Sequence, residues 1–174
     1  MLPAGSARAV APIIRRMSVT IRPLEAADAE ACDAIIGSLP YHFGLEDGRR
    51  ECAVAVRSQR GLVAEREGRV VGFLTVEPRF DEAAEITWMA VHAAERHAGV
   101  GRALMDRLVA DLRADGRRLL LVLTVSPNDP PDEIADGYQA TRAFYAANGF
   151  TLARDFAGYW GDHDTPVLLV RVLG

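Results

Sequence analysis

Two cysteines stand among the 174 residues, Cys32 and Cys52. Two thiols are too few for a disulfide framework, and their separation gives no metal-ligand spacing. Both fall in helix-like stretches, where a free thiol is most simply a small buried apolar group. That pattern suits a reducing cytosol, so a cytoplasmic location is expected. No apolar run approaches the roughly 20 residues that cross a bilayer as a helix. Positive charge is not in excess either: the net charge is −4 at pH 7, and the basic residues are spread along the chain without forming a stripe for a nucleic-acid backbone. Neither nucleic acid nor membrane is therefore expected as a partner. There is no internal repeat and no G-x-G-x-x-G dinucleotide turn.

Acidic residues are missing from the opening stretch "MLPAGSARAVAPIIRR". It has neither the apolar core nor the small-residue cleavage site of a secretory leader. Residues 1–17 are expected to be a mobile N-terminal extension, with Met17 as an alternative start, and residues 18–174 to form one domain. The remaining composition, 49% hydrophobic and 25% charged, is enough for one sizeable core.

Ser18–Arg22 alternates like a strand, and Pro23 ends it. Ala26–Ile36 reads as a helix, "SLPYHFG" (38–44) as an aromatic loop and Glu46–Gln59 as a second helix. Two strands surround a turn at Gly68, and Glu85–Val91 ("EITWMAV") follows as a third. Alternation puts Glu85, Thr87, Met89 and Val91 on one face, with Ile86 and Trp88 on the other. From Arg102 a helix carries Leu104, Met105, Leu108, Val109 and Leu112 on one face and stops at Gly116. Arg117–Val125 is a nearly continuous apolar run, the pattern of a strand covered on both sides. A loop rich in Pro and Asp leads to a helix over Tyr138–Asn148, and strands near Thr151–Phe156 and Val167–Val172 close the chain. This order predicts a single mixed α/β domain.

One stretch breaks the usual rules for a helix start. First turns favour Ser, Thr, Asp or Asn as cap and acidic residues after it, yet "MAVHAAERHAGVGRALM" (89–105) offers Gly99, Val100, Gly101 and Arg102. A strand end, a glycine turn and a bare helix start make a ready anion site, where glycines let a ligand approach backbone N–H groups. Arg96 and Arg102 then become charge-assisted donors to phosphate oxygens. A single long helix tolerating two glycines is the alternative.

The R-x-x-G-x-G run at Arg96, Gly99 and Gly101 resembles motif A of the GNAT superfamily of acyl-CoA-dependent N-acetyltransferases. "TRAFYAANGF" (Thr141–Phe150) resembles its motif B, with Tyr145 as the helix tyrosine and Gly149–Phe150 as the terminal pair. "IRPLEAAD" (Ile21–Asp28) is similar to the family's first strand and helix start, so the resemblance covers about Ser18 to Leu173. It implies a GNAT-like fold: a central, mostly antiparallel sheet, splayed at the acyl-CoA site and flanked by helices. It implies acetyl-CoA as cofactor and transfer of the acetyl group to a primary amine by direct attack. Under it Arg96, His97, Ala98, Gly99, Val100, Gly101, Arg102 and Ala103 wrap the pyrophosphate, while backbone groups of Met89, Ala90 and Val91 serve the pantetheine and the developing oxyanion. Two positions depart from the pattern: Ala98 stands where many relatives carry a basic residue, and Tyr138 where motif B commonly has Asn.

Such a reaction opens three roles. An alkylamine with a pKa of about 10 must lose a proton before attack, the leaving thiolate gains from an acid, and the carbonyl oxygen wants a backbone donor. The resemblance makes Tyr145 the acid, the alternative being a core tyrosine beside Phe144. Glu85 is the candidate base, in register with the glutamate of E-I-x-x-x-A-(V/I) in the histone acetyltransferase branch. A water chain is the alternative, and His92 and His97 are loop residues with a weaker claim. The superfamily builds its acceptor pocket from the loop between the first two helices and from the last strands. Here Tyr41, Phe43, Tyr159 and Trp160 supply aromatic walls, and Asp162 and Asp164 negative charge, suited to a cationic amine with an apolar body; ordinary surface loops would read the same way. The expected partners are a small-molecule or peptide amine and, as an assembly, a homodimer. A non-catalytic acyl-CoA-binding sensor module is the rival reading, since it needs motif A but neither Tyr145 nor Glu85.

Overall fold

Seven strands in the order β1-β2-β3-β4-β5-β7-β6 make one sheet. Along the chain the elements are β1 (Thr20–Pro23), α1 (Ala29–Gly37) entered through a 3-10 turn, α2 (Glu46–Ser58), β2 (Arg60–Arg66), β3 (Arg69–Phe80), β4 (Ala83–Val91), α3 (Val100–Ala114), β5 (Leu119–Val125), α4 (Glu133–Ala147), β6 (Thr151–Asp155) and β7 (Pro166–Val172). The computed structural model describes residues 18–43, 46–128, 133–161 and 164–174; the expected extension, 1–17, lies outside them. All neighbouring strands run antiparallel except β4 and β5. Fold class and sheet are thus those the resemblance implied.

Each helix buries the stripe its sequence provides. Leu104, Met105, Leu108, Val109 and Leu112 of α3 pack with Leu62, Leu74, Ile86, Leu120 and Val122 on one side of the sheet, where Tyr145 and Phe150 also lie. On the other side Cys32, Ile35 and Ile36 of α1 and Cys52 and Val56 of α2 meet Val63, Phe73 and Ala90. Burial pushes both thiols up to about 12. The β2–β3 hairpin closes through Glu67 and Gly68, both at positive φ, the twist that suits a two-residue turn between strands. Arg22 of β1 grips Asp28 through two bonds of 2.7 Å, and Glu25 N–H adds a third at 2.9 Å.

Two expectations are corrected. α4 begins at Glu133, five residues before the expected Tyr138. Gly137 looked like part of the loop, but an interior glycine costs a helix only about 1 kcal/mol. Simple alternation also fails along β4. The register passes from Thr75↔Trp88 to Val76↔Ile86, leaving Thr87 as the extra residue of a β-bulge. Ile86 therefore joins Met89 and Val91 against the α3 side of the core, while Thr87 and Trp88 line a cavity on the side of α2.

Candidate active site

The parallel pair β4–β5 is in register only from Ala83↔Leu119 to Ile86↔Val122. Beyond it β4 keeps pairing with β3 as far as Val91, and β5 with β7 as far as Val125. The sheet therefore opens between two strands that each stay anchored on their far side. His92 N–H donates to Val71 O at 2.9 Å. Successive strand residues present their backbone groups to opposite edges, so Trp88 and Ala90 face β3, whereas Met89 and Val91 turn N–H and C=O toward the opening. Ala90, expected beside them, instead contributes a buried side chain to the α1–α2 core.

At the end of β4 the chain makes a short turn and starts α3. Gly99 is the N-cap at φ 81°, no side chain caps the helix, and its first turn holds no acidic residue. The first helical bond is Ala103 N–H to Gly99 O at 3.0 Å, so the N–H groups before it point out of the helix end. A Cβ on Gly101 would lie 3.1 Å from Phe144 Cε2 and 3.5 Å from Met89 Cε. The helix start thus sits directly against β4 and α4. Arg96, His97, Ala98 and Arg102 are exposed around it, and Arg102 makes only a loose 3.6 Å ion pair with Asp106. His92 spends its Nδ1 accepting from Ala94 N–H at 3.2 Å.

This arrangement fits an acyl-CoA-type ligand, whose anionic diphosphate and amide-bearing arm match a bare helix start and an open strand edge. The two candidate proton-transfer groups lie on opposite sides of the sheet. Tyr145 is 6% exposed in the α3–α4 core, edge-on to Phe144 and Phe150 at 5.3 and 5.2 Å. Burial raises its phenol well above the usual tyrosine range. Glu85 lies one residue before the strands part, its Oε2 held by Arg79 Nε at 2.5 Å. Arg79 in turn lines a cavity of about 380 Å³ between α2 and β3–β4, with Gln59, Glu77, Thr87 and Trp88 among its walls.

Around the expected acceptor side, Phe43 tilts against Trp88 at 5.9 Å, and Tyr159 is 66% exposed yet close enough to Arg79 to act on its charge. Tyr41 and Trp160 are surface groups at 73% and 37% exposure. Asp164 lies near Tyr138, whose phenol is pushed up to about 12 by burial and then by that carboxylate; Asp162 lies outside the described residues. Tyr138, in place of the usual Asn, donates to His42 O at 3.0 Å and so ties α4 to the loop after α1. Asn128 Nδ2 donates to Asp155 Oδ2 and Asn148 Nδ2 to Phe144 O, each at 2.8 Å.

Sequence reasoning missed the network under the bulge. Thr87 Oγ1 donates to Gln59 Oε1 at 2.5 Å and lies 2.7 Å from buried Thr75 Oγ1. It also missed Arg79. Neither has a motif: each becomes visible only once a strand irregularity is known.

A splayed parallel pair beside an uncapped helix start is the geometry that the resemblance implied. A family model for the acetyltransferase (GNAT) domain matches residues 57–152, and the chain belongs to the GNAT acetyltransferase family. Solved structures agree on the fold. A GNAT-family protein from Desulfovibrio desulfuricans superposes with a TM-score of 0.77 at 20% identity, covering 90% of this chain and 100% of its own. The ribosomal-protein-S18-alanine N-acetyltransferase of Escherichia coli gives 0.71 at 20%, covering 90% and 95%. The yncA protein of Salmonella typhimurium, solved with its cofactor acetyl-CoA, gives 0.65 at 22%, covering 90% and 95%. No curated protein matches the chain.

Proposed function

We propose that this protein transfers the acetyl group of acetyl-CoA to the primary amine of a small molecule or peptide, by direct attack within a ternary complex. The observation that supports the reading is the opening between β4 and β5 beside an uncapped helix start; Tyr145 lies in the α3-side core, and Glu85 is bonded to Arg79, which lines the cavity by α2. When bound, acetyl-CoA supplies an activated thioester carbonyl. The N–H groups from Gly99 to Arg102 would hold the diphosphate, Arg96 and Arg102 adding charge at the rim. Backbone groups of Met89 and Val91 orient the arm as an added strand would be oriented. Glu85 would take a proton from the acceptor ammonium, and Tyr145, a neutral phenol, would give one to the departing sulfur and be restored by the proton that the acylated nitrogen loses. Phe43, Trp88, Tyr159 and the carboxylate of Asp164 favour a cationic acceptor with an apolar body.

The test is a thiol-release screen with acetyl-CoA against polyamines, amino acids, aminoglycosides and peptide N-termini, run beside Tyr145→Phe. Release that depends on one amine class and on Tyr145 supports the reading. Tight coenzyme A binding with no release for any amine would instead favour an acyl-CoA sensor.

A further inference from the structure

The candidate base does not stand alone. Glu85 lies directly opposite Glu77 across the β3–β4 ladder, and two carboxylates at opposed positions repel. Arg79 bridges them, with Nε donating to Glu85 Oε2 at 2.5 Å and Nη1 to Glu77 Oε2 at 2.9 Å. Its reach comes from a second irregularity. The register steps from Pro78↔Ala84 to Phe80↔Ala83, so Arg79 is an extra residue in β3, next to a proline that cannot donate to the ladder. The bridge leaves Glu85 Oε1 without a hydrogen-bond partner among the described residues, and the Glu85 side chain is only 17% exposed.

We propose that Arg79 is a positioning residue for the acetyl transfer: it bridges Glu85 and Glu77 and fixes Glu85 so that Oε1 is the oxygen that takes the acceptor's proton. The inference rests on the reading of Glu85 as the base. In that step an N–H bond of the acceptor ammonium breaks and an O–H bond forms on Oε1, so that a cation and a carboxylate become a neutral amine and a neutral acid. The charged and titratable groups around the pair are few. α2 brings Arg50 and Glu51 to the same cavity, Arg50 already being tied to Asp47 at 2.6 Å. β3 brings Glu77, the segment after β6 brings Tyr159, and β5 brings only Leu121 opposite Glu85. Among the described residues Arg79 is the one cation bonded to Glu85.

The deciding experiment is a double-mutant cycle in kcat, with the amine that the release screen identifies. Arg79→Gln should lower kcat by about tenfold or more in the otherwise wild-type protein, with the KM for acetyl-CoA little changed. It should lower kcat little further in Glu85→Gln, because an arginine that acts through Glu85 has nothing left there to position. Equal losses from Arg79→Gln in both backgrounds, or no loss in the first, would overturn the proposal. Should Arg79→Gln fail to fold, Arg79→Lys takes its place in the same cycle, and the same two outcomes decide. The base reading is checked separately. Glu85→Gln turning over at the wild-type rate would remove Glu85 from the mechanism whatever the cycle showed.

Discussion

Tyr145 sits between two phenylalanine rings with 6% of its surface exposed, and that burial sets its chemistry. A phenol whose ionisation lies above its ordinary value keeps its proton as pH rises through any assay range, so it is present as the neutral donor that a general acid must be. Tyr145→Phe should lower kcat by about 10²-fold, the usual size of a general-acid contribution, while calorimetry shows coenzyme A binding little changed. The two thiols make a second residue-scale prediction. Buried and pushed up to about 12, Cys32 and Cys52 should resist a chromogenic disulfide reagent in the native protein at pH 8 and react only after unfolding. The sequence offers Tyr145 and Glu85 as candidates because each belongs to a spaced pattern. Arg79 and Gln59 have no such pattern, because one is itself the extra residue of a strand irregularity and the other bonds to one.

Among the elements, the start of α3 and the bulge of β4 place the site. Gly101 leaves no room for a larger residue, since a Cβ would press on Phe144 at 3.1 Å. Gly101→Val should therefore push α3 and α4 apart and weaken coenzyme A binding by about tenfold or more, at about 1–3 kcal/mol of overpacking. At the bulge, Thr87→Val removes the hydroxyl shared by Gln59 and Thr75 and leaves both without their partner. The cost should be about 1–3 kcal/mol in a urea melt, with kcat falling because the residues on either side of Thr87 lose their orientation. The sequence made α3 and β5 easy to read, one by its helical stripe and the other by its apolar run. It hid the bulge, because one inserted residue changes no hydrophobic pattern but reverses every side chain beyond it. α4 was read five residues short for a related reason: Gly137 is a loop signal locally, but the rest of the helix carries it.

At the scale of the molecule, the sheet holds two cores, and the first strand is locked to the helix that follows by the Arg22–Asp28 pair. Arg22 hydrogen bonds hold the Asp28 carboxyl below its ordinary value. A depressed carboxyl contributes stability that is present above the unfolded value, near 3.9, and is lost as pH falls through the folded one. Asp28→Asn should accordingly show a flatter decline of Tm below about pH 4 than the wild type, measured by circular dichroism melts. No helix among the described residues is long and apolar enough to cross a membrane.

If the diphosphate of coenzyme A completes the bare N-terminus of α3, calorimetric titration of coenzyme A into the wild type and Arg102→Glu will show it. An acidic residue in the first turn suits an unliganded helix, by about 0.3–1 kcal/mol, and repels a bound anion. Tm should stay close to the wild-type value, the gain at the helix start being offset by repulsion from Asp106, while coenzyme A affinity falls by about tenfold or more. Coenzyme A binding as tight as in the wild type would contradict it.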